Sequence, residues 1–207
     1  MTRNTSSAVM QQRSEPHDSL DDFPTPPWST RALCEWIDSG GFDIGSMSCR
    51  EPTANRGHMV KPLKEYFADV QGYDIHDYGA GFPVQDYLFG PEPDEVQFTI
   101  TNPPFRLAEQ FIRRMLATSK HGCAVIVRSA FLEGKGRHER LFSIKPPTHV
   151  LQFVERVPMV KGRYDHKAAS ATAYCWLFWQ KNAIGRGTTF DWIAPCRKRL
   201  ERPEDYE

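Results

Sequence analysis

The run Gly122-Cys123-Ala124-Val125-Ile126-Val127 carries no polar side chain on either face that an extended chain presents. Strand side chains alternate between faces, so this run must be covered on both sides, which is the condition of an inner strand in a parallel sheet flanked by helices. Neighbouring segments supply the cover. Between Phe105 and Ser119, Leu107, Phe111, Ile112, Met115 and Leu116 recur at helical spacing. The spacing of Leu63, Tyr66, Phe67 and Val70 predicts a helix over 60–70, with Pro62 in a first turn where a missing N–H costs little. Segments 96–101, 150–154 and 173–179 read as strands, the last strongly β-prone. Strands alternating with helices predict an α/β fold with a mostly parallel, doubly wound sheet, whose ligands lie beyond the carboxyl ends of its strands. With 207 residues, 40% of them hydrophobic, the chain can build one such core but no separate recognition domain.

Directly behind the strand 96–101 stands Asn102-Pro103-Pro104-Phe105. An exocyclic amine on an aromatic ring is a poor nucleophile because its lone pair is delocalised. The Asn102 side-chain oxygen and the Pro103 carbonyl can hold the two amine hydrogens and draw the nitrogen towards tetrahedral geometry, while Phe105 stacks on the ring. Read structurally alone, the same residues are a turn, since proline cannot extend a ladder and restricts the residue before it.

Upstream, Met47 to Met59 reads as a strand running into a turn at Gly57, followed by the helix from Val60. That arrangement brings backbone N–H groups close to a nucleoside-like ligand, and Glu51 can meet a ligand ammonium. About 20 residues beyond the turn, Asp74 closes a short apolar stretch, the position at which a carboxylate accepts ribose hydroxyls. Asp86 follows, with apolar residues after it that can flank an adenine ring.

The order Asp22-Phe23-Pro24-Thr25-Pro26, Glu51-Pro52 through Gly57, Asp74, Asp86 and Asn102-Pro103-Pro104-Phe105 resembles the S-adenosylmethionine-dependent amino-methyltransferases, especially DNA adenine-N6 methyltransferases and their phage-encoded relatives. The resemblance covers residues 22 to about 180 and implies a single-domain, Rossmann-like class I methyltransferase, α/β, with an antiparallel last strand. It implies that Phe23, Thr25 and Pro26 line the methionine end of S-adenosyl-L-methionine. It implies further that Glu51, Pro52, Thr53 and Gly57 wrap the cofactor, that Asp74 and Ile75 bind its ribose, and that Asp86 and Tyr87 bind its adenine. Asn102, Pro103, Pro104 and Phe105 would hold the target amine. The chain departs from the family in having Ala54-Asn55 where relatives usually show Cys-Gly or Ala-Gly. Two other readings stay open: a methyltransferase acting on a protein glutamine or ribosomal RNA, and a degenerate member of the fold that binds without turnover.

Net charge is zero, from 26 basic and 26 acidic residues, which is not the overall footprint of an avid nucleic-acid binder. Locally, Arg128, Lys135, Arg137, Arg140, Lys145, Arg156, Lys161, Arg163, His166 and Lys167 crowd the segment after the apolar strand, with Phe131 and Tyr164 interleaved. If this segment rims the cleft, Arg128, Lys135, Arg137, Lys161 and Arg163 contact nucleic-acid phosphates, DNA being the expected partner. Specificity would then be short and loose, or would depend on a partner subunit or a homodimer. Residues 1–20 are polar and aperiodic and read as a disordered tail, 21–195 as the catalytic domain and 196–207 as a C-terminal tail. No apolar run approaches the roughly 20 residues of a membrane span and no secretion signal is visible, so the expected location is the cytoplasm. The five cysteines are scattered and read as reduced thiols, Pro195-Cys196 included, and the histidines show no metal-ligand spacing.

Overall fold

A computed structural model describes residues 21–206 apart from 166 and 169. The expected tail 1–20 and His166 of the basic segment lie outside the described residues. In chain order the elements are α1 (Pro27–Ser39), β1 (Ser48–Glu51), α2 (Val60–Leu63), β2 (Asp69–Gly72), β3 (Val96–Thr101), α3 (Ala108–Thr118), β4 (Ser119–Arg128), α4 (Lys135–Arg137), β5 (His149–Phe153), β6 (Tyr174–Gln180), β7 (Thr189–Ile193) and α5 (Arg197–Leu200). They form a seven-stranded sheet in the order β2-β1-β3-β4-β6-β5-β7. Every neighbouring pair is parallel except those made by β6, which runs against both β4 and β5.

The apolar run behaves as its pattern requires. In β4, Ala124 and Ile126 face a core beneath α1 that includes Trp28, Leu33, Ile37, Phe98, Trp176 and Phe178. Cys123, Val125 and Val127 face the opposite core with Phe111, Ile112 and Met115 of α3, Leu177 and Trp179. Each fully buried aliphatic side chain of this kind contributes about 1.5–3 kcal/mol relative to exposure, which is what fixes β4 in the middle of the sheet. Gly122 begins the run for a steric reason: a Cβ there would lie 2.5 Å from the Trp179 carbonyl oxygen on β6.

Three expectations are corrected. The helix predicted over 60–70 closes after Leu63, because Ala68 N–H bonds to the Met47 carbonyl and the chain must turn to lay β2 beside β1. Leu63 and Phe67 still reach the core, so the periodicity reports burial there and not helix length. The antiparallel strand is present but is not the last: β7 follows, parallel to β5, at an edge of the sheet with Phe190 and Trp192 exposed. Residues 196–207 do not form a loose tail over their described part. Arg31 of α1, only 2% exposed, donates to both carboxylate oxygens of Asp205, to Glu65 and to the Leu200 carbonyl. A buried guanidinium left unpaired would be strongly destabilising, and the C-terminal segment supplies its partners. Cys196 is buried in the core, where its thiol is pushed up to about 11, largely by burial; all five cysteines are free and buried.

Among the described residues no helix is long and apolar enough to cross a membrane, and no group of three or more His, Cys, Asp or Glu side chains is placed to hold a metal ion.

Candidate active site

The chain lays β2 on one side of β1 and β3 on the other, so the crevice at the carboxyl ends of β1 and β3 is the switch point at which open α/β sheets bind ligands. Glu51 is the last residue of β1 and Asn102 follows β3 directly, which brings the two central expectations together.

Glu51 is fully buried. Its Oε1 accepts from Thr53 N–H at 2.9 Å, the Thr53 hydroxyl at 3.0 Å and the Thr101 hydroxyl at 2.6 Å. Its Oε2 is buried with no hydrogen-bond partner. Burial outweighs the bonds to Oε1 and raises the carboxyl to about 7. Thr53 also lies 3.1 Å from the Asn102 carbonyl oxygen, so the ends of β1 and β3 are coupled through hydroxyls. Thr101 was not singled out in the sequence; a polar residue closing a strand next to Asn102 was the available signal.

The Asn102 amide nitrogen donates to the Phe23 carbonyl at 3.0 Å. Because only the NH2 group can donate to a carbonyl, this bond sets the amide's orientation and leaves Asn102 Oδ1 as the acceptor on its other side. The Asp21 carboxylate accepts Phe105 N–H at 2.6 Å, and the Phe23 and Phe105 rings lie 5.5 Å apart. The segment 21–26 thus straps across the Asn-Pro-Pro-Phe turn, with Thr25 and Pro26 buried beneath it. Pro103 is buried, and the Pro104 carbonyl accepts Leu107 N–H, closing the turn into α3.

The loop after β1 turns at Asn55 (φ 50°) and Gly57 (φ 87°). Asn55 takes the left-handed conformation that Gly would take in the expected motif, and among non-glycine residues Asn tolerates it best. Its side chain gains a role Gly lacks: Nδ2 donates to Asp22 at 2.7 Å, while Arg56 pairs with the same carboxylate at 3.1 Å. Gly57 is needed for packing as well as for its φ, since a Cβ would come within 3.1 Å of the Phe82 ring. Both Asn55→Gly and Asn55→Ala lose the bond to Asp22, but only Ala must also hold the left-handed φ, so Asn55→Ala should be less stable than Asn55→Gly by roughly 1–2 kcal/mol. Urea unfolding of the two variants checks this ordering; equal losses would dismiss backbone conformation as the reason for Asn.

Asp74, buried, accepts Asn55 N–H at 2.9 Å on one oxygen and His76 N–H at 3.0 Å on the other. Burial raises its pKa, with backbone donors acting in the opposite direction. A bridge between Asp74 and Val84 brings the Asp86 segment alongside. Asp86 itself caps its own turn, accepting the Leu88 and Phe89 N–H groups. Ile75 is exposed beside Asp74. Tyr87 departs from its expected place beside an adenine ring: it is buried in the core next to Phe111, its hydroxyl 3.2 Å from Thr118. The turn that Asp86 caps, not a strand's alternation, sends Tyr87 inward.

The basic residues divide. Arg128, at the end of β4, lies over the Phe105 ring at 4.4 Å and so joins the site. Gly162, between Lys161 and Arg163, donates its N–H to the Asp22 carbonyl at 2.8 Å, and Met159 Sδ lies 3.8 Å from Asn102 Nδ2, so this loop also borders the strap. Arg163 pairs with Asp165. Arg137 bonds the Phe131 and Glu133 carbonyls and, with Arg140, faces Glu109 of α3; Lys135 is exposed on α4.

No family model and no curated protein matches this chain. Solved structures do. A putative class I S-adenosylmethionine-dependent methyltransferase from Listeria monocytogenes superposes with a TM-score of 0.60 at 12% identity, over 94% of this chain and 71% of that one. A modification subunit of a putative type I restriction enzyme from Vibrio vulnificus gives 0.56 at 18% identity, over 94% of this chain and 51% of the other. A putative RNA methyltransferase from Pyrococcus horikoshii gives 0.59 at 17% identity, over 84% and 95%. The chain thus spans about half the length of the modification subunit. At these identities the likeness is one of fold: a single-domain α/β, Rossmann-like class I methyltransferase fold.

Proposed function

We propose that this protein moves a methyl group from S-adenosyl-L-methionine to an exocyclic amine, adenine N6 in DNA being the acceptor the site fits best. The observation that carries the reading is the pairing, across β1 and β3, of the unpartnered Glu51 Oε2 with an Asn102 amide whose oxygen is turned away from its Phe23 anchor. The residues fit the cofactor. A buried carboxylate oxygen without a donor suits an ammonium group, and the Asp74 carboxylate, oriented by backbone N–H groups, suits a ribose hydroxyl. Phe23, Thr25 and Pro26 would line the methionine end, Pro52, Thr53 and Gly57 the turn around it, and Asp86 the adenine amine.

When bound, the cofactor supplies an electrophilic methyl group on a sulfonium. The protein's own contribution is orientation. Asn102 Oδ1 and the Pro103 carbonyl would accept the two amine hydrogens, directing the lone pair in line with the methyl group, and Phe105 would hold the ring. The likeness to a modification subunit and to an RNA methyltransferase supports a nucleic-acid acceptor. One observation favours a second reading: Arg137, Arg140 and Arg163 are compensated by local carboxylates, which weakens the field available for phosphates. A protein glutamine amide presents the same pair of hydrogens without a phosphate backbone.

Two measurements test the reading. Asp74→Ala should weaken S-adenosylmethionine binding by on the order of 1.5–3 kcal/mol in calorimetric titration, the cost of leaving ribose hydroxyls unpaired; unchanged affinity would remove Asp74 from the site. Labelled methyl transfer to DNA, RNA and protein in parallel, at several salt concentrations, separates the acceptors, because only phosphate contacts give a steep salt dependence.

A further inference from the structure

Phe105 is the ring on which the proposed acceptor would stack, yet two neighbours already cover it. Phe23 lies 5.5 Å away, centroid to centroid and tilted by 40°, and the Arg128 guanidinium carbon sits 4.4 Å from the ring centroid. Phe23 is fixed through its carbonyl by the Asn102 amide. Arg128 is different: it ends β4, its side chain is exposed, and it lies close enough to the Tyr174 phenol on β6 to interact with it. Of the two, Arg128 is the neighbour able to leave.

We propose that Arg128 is a placeholder for the acceptor base: its guanidinium covers Phe105 in the free protein and, when a base stacks there, moves to a phosphate of the same strand. This deepens the nucleic-acid reading given above and rests on it. The chemistry of the side chain suits both positions. A guanidinium is planar and weakly hydrated, stacks on aromatic faces, and binds phosphate through paired N–H groups. The exchange runs towards the acceptor because base stacking on an aromatic ring is stronger than an exposed cation–π contact, and the phosphate gives the displaced cation a new partner. Arg128 is thereby a specificity-determining residue: it opposes any flat ring that arrives without a phosphate and favours one that brings it.

That reciprocity gives a signature with opposite signs. In Arg128→Met, the KM for a single-stranded adenine oligonucleotide should rise about tenfold, as one charge-assisted phosphate contact is lost. Inhibition of the same reaction by free adenosine should instead strengthen by roughly threefold, because no cation–π contact has to be broken. Arg128→Lys, which keeps the charge but not the planar fork, should recover part of the oligonucleotide KM. In the wild type, an oligonucleotide with neutral methylphosphonates flanking the target base should lose the tenfold advantage over Arg128→Met. If both constants move in the same direction, or neither moves, while methyl transfer to the oligonucleotide persists, the placeholder is wrong and the acceptor reading stands. If the wild type methylates no nucleic acid but does methylate a glutamine-bearing protein, the acceptor reading itself fails and the placeholder with it. Wild-type melting temperatures for both variants guard against loss of the fold.

Discussion

Asn102→Ala is expected to lower methyl transfer by about 10²–10³-fold, roughly 3–4 kcal/mol of transition-state stabilisation, by analogy with removing one positioned group from an oxyanion hole. Cofactor affinity should fall far less than transfer does: losing the bond to the Phe23 carbonyl loosens the strap 21–26 but leaves Glu51 and Asp74 in place. The large effect follows from the amide's fixed orientation: the Nδ2 bond holds Oδ1 in place before the acceptor arrives, so no freedom is lost at the moment of reaction. Asn102→Asp separates two contributions. It keeps an acceptor oxygen but replaces the donor to Phe23 with a second oxygen facing a carbonyl, so activity should fall between that of wild type and the alanine variant while the strap 21–26 loosens. Single-turnover transfer of a labelled methyl group, with calorimetric cofactor titration alongside, reads both quantities. Wild-type turnover in Asn102→Ala would end the amine-orientation mechanism.

Glu51 should make the free protein's stability fall as pH rises from about 4.5 to 7. Its carboxyl is raised from the ordinary 4.5 to about 7 by burial, so in that window the folded state binds a proton that the unfolded state has released. The stabilising contribution is fully present below the unfolded value and is lost as pH passes the folded one. A displacement of this size corresponds to on the order of 3 kcal/mol. The wild-type minus Glu51→Gln difference in denaturant stability isolates this contribution from Asp74, also raised, and from Glu35 and Glu109, which are lowered by bonds to Arg199 and Arg140. The difference should slope across pH 4.5–7; a flat difference would show that Glu51 does not titrate there. Cofactor binding should follow the opposite course. An ammonium group favours the ionised carboxylate, so affinity should rise through the same window and binding near pH 7 should release a proton, measurable as a buffer-dependent heat.

Much of the fold was legible because its cause is local. The unbroken apolarity of 122–127 demanded cover on both faces, and the two cores supply it. The aromatic-rich run at 173–179 became the antiparallel β6, although its direction is a property of the sheet and not of its residues. Where local pattern misled, a distant partner had won. Val70 has helical spacing from Leu63 but is recruited by Cys49 into β2, and the charged C-terminal segment is drawn inward by Arg31. β7 escaped notice because its residues are mostly exposed and carry no contrast between faces.

The candidate site divides in the same way. Contiguous residues marked the end of β3 before Asn102, a strand running into a turn at Gly57, and acids at 74 and 86, because strand termini and turns are local; the end of β1 at Glu51 and the left-handed backbone of Asn55 came from the fold. The fold alone turns the Asn102 amide onto Phe23, 79 positions earlier, leaves one Glu51 oxygen without a donor, sends Tyr87 into the core and rests Arg128 on Phe105. Each of these depends on the register between segments far apart in sequence. Orientation and burial are properties of that register, and no periodicity along a single segment encodes them.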